Sequence, residues 1–228
     1  MMKTPVKIFP LGESALTIEF SNEISPEIND NVINLSNYFE KSNFAGFIET
    51  VPAYGSLTIC YDVPAVRKNF SEFPTAFEAV KNLTEKAIHN LIENKKTGYR
   101  LVEIPVRFDK ESALDLEFIA EANNLETREI IKIFTARIYR VYMLGFLPGF
   151  AYLGEVDEKI AMPRKSSPRL KVPRGSVGIA GKQTGIYPLA SPGGWQIIGR
   201  TDVELFTPES ETLTFLQAGD SVKFHSQS

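Results

Sequence analysis

The first hundred residues show apolar positions with two different periods. Alternation of apolar and polar residues predicts strands at 6–9, 15–20, 47–51 and 56–61. Apolar residues at helical spacing predict one helix that begins after Ser25 and a second from about Thr75 to Glu93. Two hairpins, each followed by a helix, predict a small α+β sandwich in which both helices cover the same face of the sheet.

The second half begins with a predicted strand at 101–108 and two short helices. We expect Asp115 to begin the first helix and Thr127 to cap the second. Beyond them, short apolar segments at near-regular spacing favour a closed β-barrel that carries the helices as insertions. These predicted strands are 139–145, 170–172, 176–180, 196–199, 203–206, 212–217 and 221–225.

The segment Asn94–Gly98 contains two lysines and ends in glycine, which is typical of a helix end followed by a linker. It divides the chain into two predicted domains, residues 1–97 and residues 98–228.

Composition and charge narrow the classes of function. The chain has 228 residues, 43% apolar, and a net charge of −3, which argues against general nucleic-acid binding. No segment approaches the ~20 apolar residues of a membrane span, and no secretory signal is visible, so we expect a cytoplasmic protein. The two histidines, His89 and His225, leave a catalytic triad almost without a candidate base, and no spacing is typical of metal ligands. We therefore assign no catalytic residue and no metal site.

The candidate chemistry lies between residues 145 and 201, where glycine and proline recur every few positions and exclude a helix. Residues 163–182 contain six lysines and arginines and no acidic residue. A basic, loop-dense surface in a net acidic protein favours an anionic ligand or an acidic partner. A solvated face of the barrel would explain the same charges, and from charge alone the two interpretations are equally supported.

Three motifs in this half of the chain are GFLPGFAYLG, VPRGSVGIAGKQTGIYPLASPGGWQIIGRT and AGDSV. They resemble the PxpB/KipI family, whose members are called the B subunit of 5-oxoprolinase, allophanate hydrolase subunit 1 or the sporulation-kinase inhibitor KipI. The resemblance covers essentially the whole chain and is densest from Tyr139 to Thr201. It implies an α+β N-terminal domain followed by a cyclophilin-like β-barrel.

The resemblance also implies partners and a reaction. The homologous C subunit is expected to join this chain in phosphorylating 5-oxoproline with ATP and Mg, and the A subunit to complete hydrolysis to L-glutamate. We expect ATP to bind in the complex rather than stably to this chain alone. Two alternatives stay open: inhibition of a sensor histidine kinase by direct docking, and a carboxyltransferase or allophanate-type role on a ureide.

Within this family the polar and aromatic residues of the glycine-rich segment become candidate substrate contacts. We expect Arg169 or Arg174 to hold a carboxylate or phosphate, since arginine binds such groups bidentately. Gln183 and Thr184 would orient the ring amide. Tyr187 and Trp195 would line the pocket, although a large aromatic ring is equally suited to a core. The full predicted set is Arg169, Lys171, Arg174, Gln183, Thr184, Tyr187, Gly193, Gly194 and Trp195.

Two positions depart from the family pattern. Phe134 stands where many members have histidine, and Arg174 stands where many have alanine. Because phenylalanine cannot transfer a proton, either that histidine is not catalytic in the family or the activity of this chain differs.

Overall fold

The computed structural model describes residues 6–92 and 100–227, with the backbone alone for residues 91 and 92. The chain divides into two compact units, residues 1–98 and residues 99–228, and both mix helices and strands. The predicted linker Asn94–Gly98 lies outside the described residues, and the predicted domain boundary stays a prediction.

The first unit is a four-stranded antiparallel sheet in the order β1-β2-β4-β3, packed against helices. Ser25 caps α1 as expected, because its Oγ accepts a hydrogen bond from the Ile28 N–H at 3.2 Å. Inward-facing residues of β2 and β4 meet the apolar stripe of α1 in one core. The elements are β1 (Lys7–Pro10), β2 (Ala15–Glu19), α1 (Pro26–Lys41), β3 (Phe47–Pro52), β4 (Ser56–Tyr61), α2 (Val63–Asn69) and α3 (Ala76–Ile92).

Helix α2 is an element that the sequence analysis did not predict. Asp62 caps it by accepting a hydrogen bond from the Ala65 N–H at 2.7 Å, and Pro64 occupies its first turn. Val66 is its one buried residue. A helix of two turns is too short to show an apolar period, so the cap and the proline were the only sequence signals.

The second unit is built on a seven-stranded sheet in the order β12-β9-β10-β7-β6-β13-β5. Strand β13 pairs in parallel with β5 and antiparallel with β6. Strands β8 and β11 form a separate two-stranded ribbon. The strands are β5 (Leu101–Val106), β6 (Ile138–Leu144), β7 (Ala151–Gly154), β8 (Arg169–Val172), β9 (Ser176–Ala180), β10 (Gln183–Ile186), β11 (Ser191–Gly193), β12 (Gln196–Arg200) and β13 (Ser221–Ser226).

The sheet curls until its two edges meet at one bridge. The N–H groups of Arg107, just after β5, and Arg200, at the end of β12, each donate to the other's carbonyl oxygen, at 2.8 and 2.9 Å. A cyclophilin-like barrel is a more specific description than this curled sheet and stays a prediction.

Two segments predicted as strands, 203–206 and 212–217, are wrong: they share a single bridge between Phe206 and Thr214. Three strands were missed instead, because the glycines and prolines of β7, β10 and β11 suggested turns. Gly185 of β10 shows the physical reason, since a Cβ there would lie 3.0 Å from Phe150 Cζ and 3.1 Å from Trp195 Cζ3. Glycine at this position therefore allows two aromatic side chains to pack closely against β10, and it does not mark a turn.

Helices α4 (Leu116–Asn123) and α5 (Thr127–Ala136) pack against the sheet and contribute to the main hydrophobic core. Asp115 immediately precedes α4, as predicted. Thr127 is the first residue of α5 rather than its cap, and the preceding Glu126 N–H donates to the Glu129 carboxylate at 2.8 Å.

Alternate residues of β12 contribute to different cores, as the pleat of a strand requires. Ile198 belongs to the main core, whereas Ile197 belongs to a smaller cluster with five other buried residues: Phe150, Val172, Ala180, Tyr187 and Trp195.

Phe134 lies fully buried in the main core. The centre of its ring is 4.9 Å from that of Phe224 and 5.1 Å from that of Tyr139. Phe134, which sequence analysis singled out as a departure from the resembled family, is therefore a packing residue.

A candidate anion-binding site

A single buried carboxylate, Asp115, organises the basic segment that sequence analysis singled out. Its oxygens accept two hydrogen bonds from the Arg169 guanidinium, at 2.6 and 2.8 Å, and one from the Lys165 ammonium at 3.1 Å. The Ile197 N–H of β12 donates a fourth, at 2.7 Å. Asp115 therefore joins the start of α4, the basic segment and the main sheet. We call Asp115, Lys165 and Arg169 the buried ion cluster.

The carboxylate of Asp115 is ionised at neutral pH. Burial alone would raise the pKa of Asp115, but the hydrogen bonds from Arg169, Ile197 and Lys165 outweigh burial and bring the pKa below its ordinary value. The Asp115 side chain is 4% exposed, whereas those of Arg169 and Lys165 are 24% and 28% exposed. The negative charge lies inside, and both positive charges remain partly accessible to solvent.

Buried aromatic rings lie beside the cluster. The backbone N–H of Lys165 donates to the Gly194 carbonyl oxygen at 2.7 Å, which places the basic segment next to Trp195. The guanidinium of the exposed Arg164 lies 5.8 Å from the centre of the Trp195 ring, at cation–π distance. Trp195 packs edge-on against Phe150, with ring centres 5.5 Å apart.

The structure brings several predicted residues together around this point. Arg169 of β8 pairs with Gly193 of β11, and Gly194 and Trp195 follow directly. A Cβ on Gly193 would overlap the Tyr187 ring, so glycine is required for this close approach. Burial raises the pKa of the Tyr187 phenol. Tyr187 and Trp195 are buried in the smaller core, so packing accounts for both rings and their role as pocket walls stays a prediction.

The other predicted residues are exposed or have partners outside the cluster. Arg174 is exposed, and its guanidinium lies 3.3 Å from a Glu204 carboxylate oxygen. Lys171 is exposed on β8. Thr184 is fully buried in β10, where its hydroxyl donates to the Gly178 carbonyl oxygen at 2.9 Å, and the neighbouring Gln183 is half-buried. The hydroxyl of Thr184 is thus used within the sheet, and the substrate-binding roles of the predicted set stay predictions.

Sequence analysis missed the acidic centre of this site. Asp115 looked like an ordinary helix start, yet its carboxylate makes no capping bond to α4. Gln196 was also missed. Its Nε2 donates to the Pro163 carbonyl oxygen at 3.1 Å, and its buried Oε1 has no hydrogen-bond partner among the described residues. Gln196 directly follows Trp195 in the sequence, which was its only signal, whereas Asp115 is far from the basic segment along the chain and had none.

Two further properties concern the described part of the chain. Within residues 6–92 and 100–227, no group of three or more His, Cys, Asp or Glu side chains is arranged to hold a metal ion. Over the same residues, every helix is too short or too polar to cross a membrane.

Comparison with known proteins gives consistent matches. The family model for the carboxyltransferase domain, subdomain C and D, matches residues 6–216. A protein named as the B subunit of 5-oxoprolinase, from Bacillus subtilis (strain 168), is 46% identical over 224 residues, which are 98% of this chain and 93% of that protein. A protein of the same name from Escherichia coli O157:H7 is 33% identical over 96% of this chain and 94% of its own length.

A similar solved structure is the crystal structure of TTHA0988, with a TM-score of 0.80 and 34% identity. The match covers 94% of this chain and 40% of that longer chain. Since the family match extends from residue 6 to residue 216, it includes the buried ion cluster and the glycine-rich segment.

Proposed function

The chain belongs to the family of carboxyltransferase domains, subdomains C and D, and we propose that it acts as the B subunit of an ATP-dependent 5-oxoprolinase. The observation that carries this proposal is the 46% identity, along 98% of the chain, to a protein with that name. The partly exposed cations of the ion cluster support it, because the reaction acts on anions.

The proposed reaction explains why a site without histidine is sufficient. The γ-phosphoryl group passes from ATP to the lactam oxygen of 5-oxoproline, and ADP leaves. One water then opens the ring at the C–N bond and leaves the phosphate on the new carboxyl group. A second water releases inorganic phosphate from that group, and the product is L-glutamate. The first step needs positioned cations and N–H donors around a developing negative charge rather than a nucleophilic side chain.

Within this function, Arg169 is a better candidate than Arg174 to hold the substrate carboxylate or a phosphate. Arg169 is fixed by two hydrogen bonds to a buried carboxylate, whereas Arg174 has one long bond to an exposed carboxylate. A fixed guanidinium loses less conformational freedom when it binds an anion. Gln183, Lys171 and the backbone near Gly193 remain secondary candidates.

The proposal places ATP and Mg in a complex with the homologous C subunit, and the later hydrolysis with the A subunit. It assigns no metal ligand to this chain. It also takes the curled sheet as a cyclophilin-like barrel and, because ATP is the donor, places the complex in the cytoplasm.

The test is reconstitution of the complex from this chain and the two partner subunits. We expect 5-oxoproline-dependent ATP hydrolysis and glutamate release that require this chain. Arg169→Ala should abolish most of the activity, while Arg128→Ala, which removes an arginine that is 81% exposed on α5, should not. An intact complex without turnover would reject 5-oxoproline as the substrate, and ureides would be tested next. If no complex forms, docking on a sensor histidine kinase becomes the hypothesis to test.

A further inference from the structure

In the buried ion cluster the carboxylate is buried, whereas both cations are partly exposed and keep unused N–H donors. A guanidinium carries five N–H donors and an ammonium three. Asp115 takes two donors from Arg169 and one from Lys165, so both cations keep donors for another partner. Their side chains are also about a quarter exposed, at 24% and 28%. Asp115 therefore holds each cation from the buried side and leaves its other donors accessible.

The charge of the cluster also favours an anion. Two cations and one carboxylate leave one net positive charge, and the exposed Arg164 next to Trp195 adds another nearby. Burying ions costs desolvation energy, and a hydrophobic replacement is often at least as stable. The excess of positive charge is suited to binding a small anion.

We propose that Asp115 is a positioning residue, which holds Arg169 and Lys165 so that their remaining N–H donors bind the carboxylate of a small cyclic ligand. This inference rests on the proposed function, in which that ligand is 5-oxoproline. Asp115 touches no reacting atom. It acts by holding two cations with a carboxylate that is itself anchored by the Ile197 N–H of β12, which is part of the main sheet.

The test compares Asp115→Asn with wild type in the reconstituted complex, measuring 5-oxoproline binding by calorimetry as well as turnover. Asparagine keeps the shape and removes the charge. We expect Kd and KM for 5-oxoproline to rise about tenfold or more, while kcat changes less than about threefold, because ground-state binding is lost. Binding of 2-pyrrolidinone, which lacks the carboxylate, should not change.

The matched control is Asp202→Asn. Asp202 also accepts two hydrogen bonds from one arginine, Arg107, but its side chain is 63% exposed. This variant should bind and turn over 5-oxoproline as wild type does. If Asp115→Asn does not fold, the alternative variant is Arg169→Lys. It keeps the positive charge but cannot bind Asp115 bidentately, and we expect the same loss of affinity for 5-oxoproline.

The outcomes separate this proposal from the proposed function. Wild-type binding without turnover, weakened by Asp115→Asn, would reject the 5-oxoprolinase function and retain the positioning role. The positioning role is overturned if Asp115→Asn binds 5-oxoproline normally, or if kcat falls as much as the affinity does. It is also overturned if the wild-type complex binds no 5-oxoproline.

Discussion

Two arginine–aspartate pairs in the second unit have the same chemistry and opposite surroundings. Arg169 donates two hydrogen bonds to Asp115, whose side chain is 4% exposed. Arg107 donates two hydrogen bonds to Asp202, whose side chain is 63% exposed. In water the attraction between such charges is screened, whereas in the interior both the attraction and the cost of removing either partner are large. Location, more than hydrogen-bond count, determines what each pair contributes.

The largest predicted difference between the two pairs is the loss of unfolding free energy when each carboxylate is removed. Asp115→Ala leaves two cations without their buried counter-charge and the Ile197 N–H without its acceptor, and should reduce the free energy of unfolding by about 3–5 kcal/mol. Urea unfolding followed by circular dichroism measures this loss. Asp202→Ala, measured in parallel, is the matched control. Equal losses in the two variants would show that burial does not distinguish the pairs.

The second-largest effect should be that of acid on the buried pair. Protonation of Asp115 should destabilise the protein less than Asp115→Ala does, because it removes the charge but keeps the side chain. The pKa of Asp115 is lower in the folded protein than the ~3.9 of an unfolded aspartate. The unfolded state therefore binds more protons near this pH, so the stabilisation is complete above about pH 4 and is lost as the pH falls through the folded pKa.

The measurement is the difference in unfolding free energy between wild type and Asp115→Asn at several pH values. We expect it to be constant from about pH 8 to 5 and to shrink below about 4. A difference that changes near neutral pH, or that persists undiminished in strong acid, would contradict the assignment.

The smallest effect should be that of the exposed pair. Asp202→Ala should cost less than about 1 kcal/mol, and most of that should disappear at 1 M salt, where exposed charges are screened. Thermal unfolding at low and high salt measures both quantities. A larger, salt-independent loss would mean that Asp202 also supports the edge-to-edge bridge between Arg107 and Arg200 through its side chain.

Local patterns predicted the first unit well. Ser25 and Pro26 mark the start of α1, and alternation in β2 and β4 identifies the residues that face the core. These predictions succeed because caps and periodic faces are properties of neighbouring residues. Local patterns fail at α2, which has two turns and one buried side chain, and in the second unit at β10, where Gly185 makes room for Phe150 and Trp195.

Sequence analysis predicted the basic residues of the candidate site but not its acidic residue. The cluster of positive charge at 163–182 and the choice of Arg169 came from the sequence. Asp115, 54 residues before Arg169 in the chain, was expected to begin a helix and does so. Nothing local indicates that its carboxylate faces away from that helix toward two cations and a strand.

The sequence by itself determined the family, the mixture of helices and strands, and the basic glycine-rich segment that holds the candidate chemistry. Each is carried by residues close together in the chain. Tertiary structure alone decided which arginine is held by a buried carboxylate and which pairs at the surface. It also made Phe134 and Trp195 core residues. The physical reason is that burial and ion pairing depend on which distant segments meet, and in this unit the curled sheet and α4 bring them together.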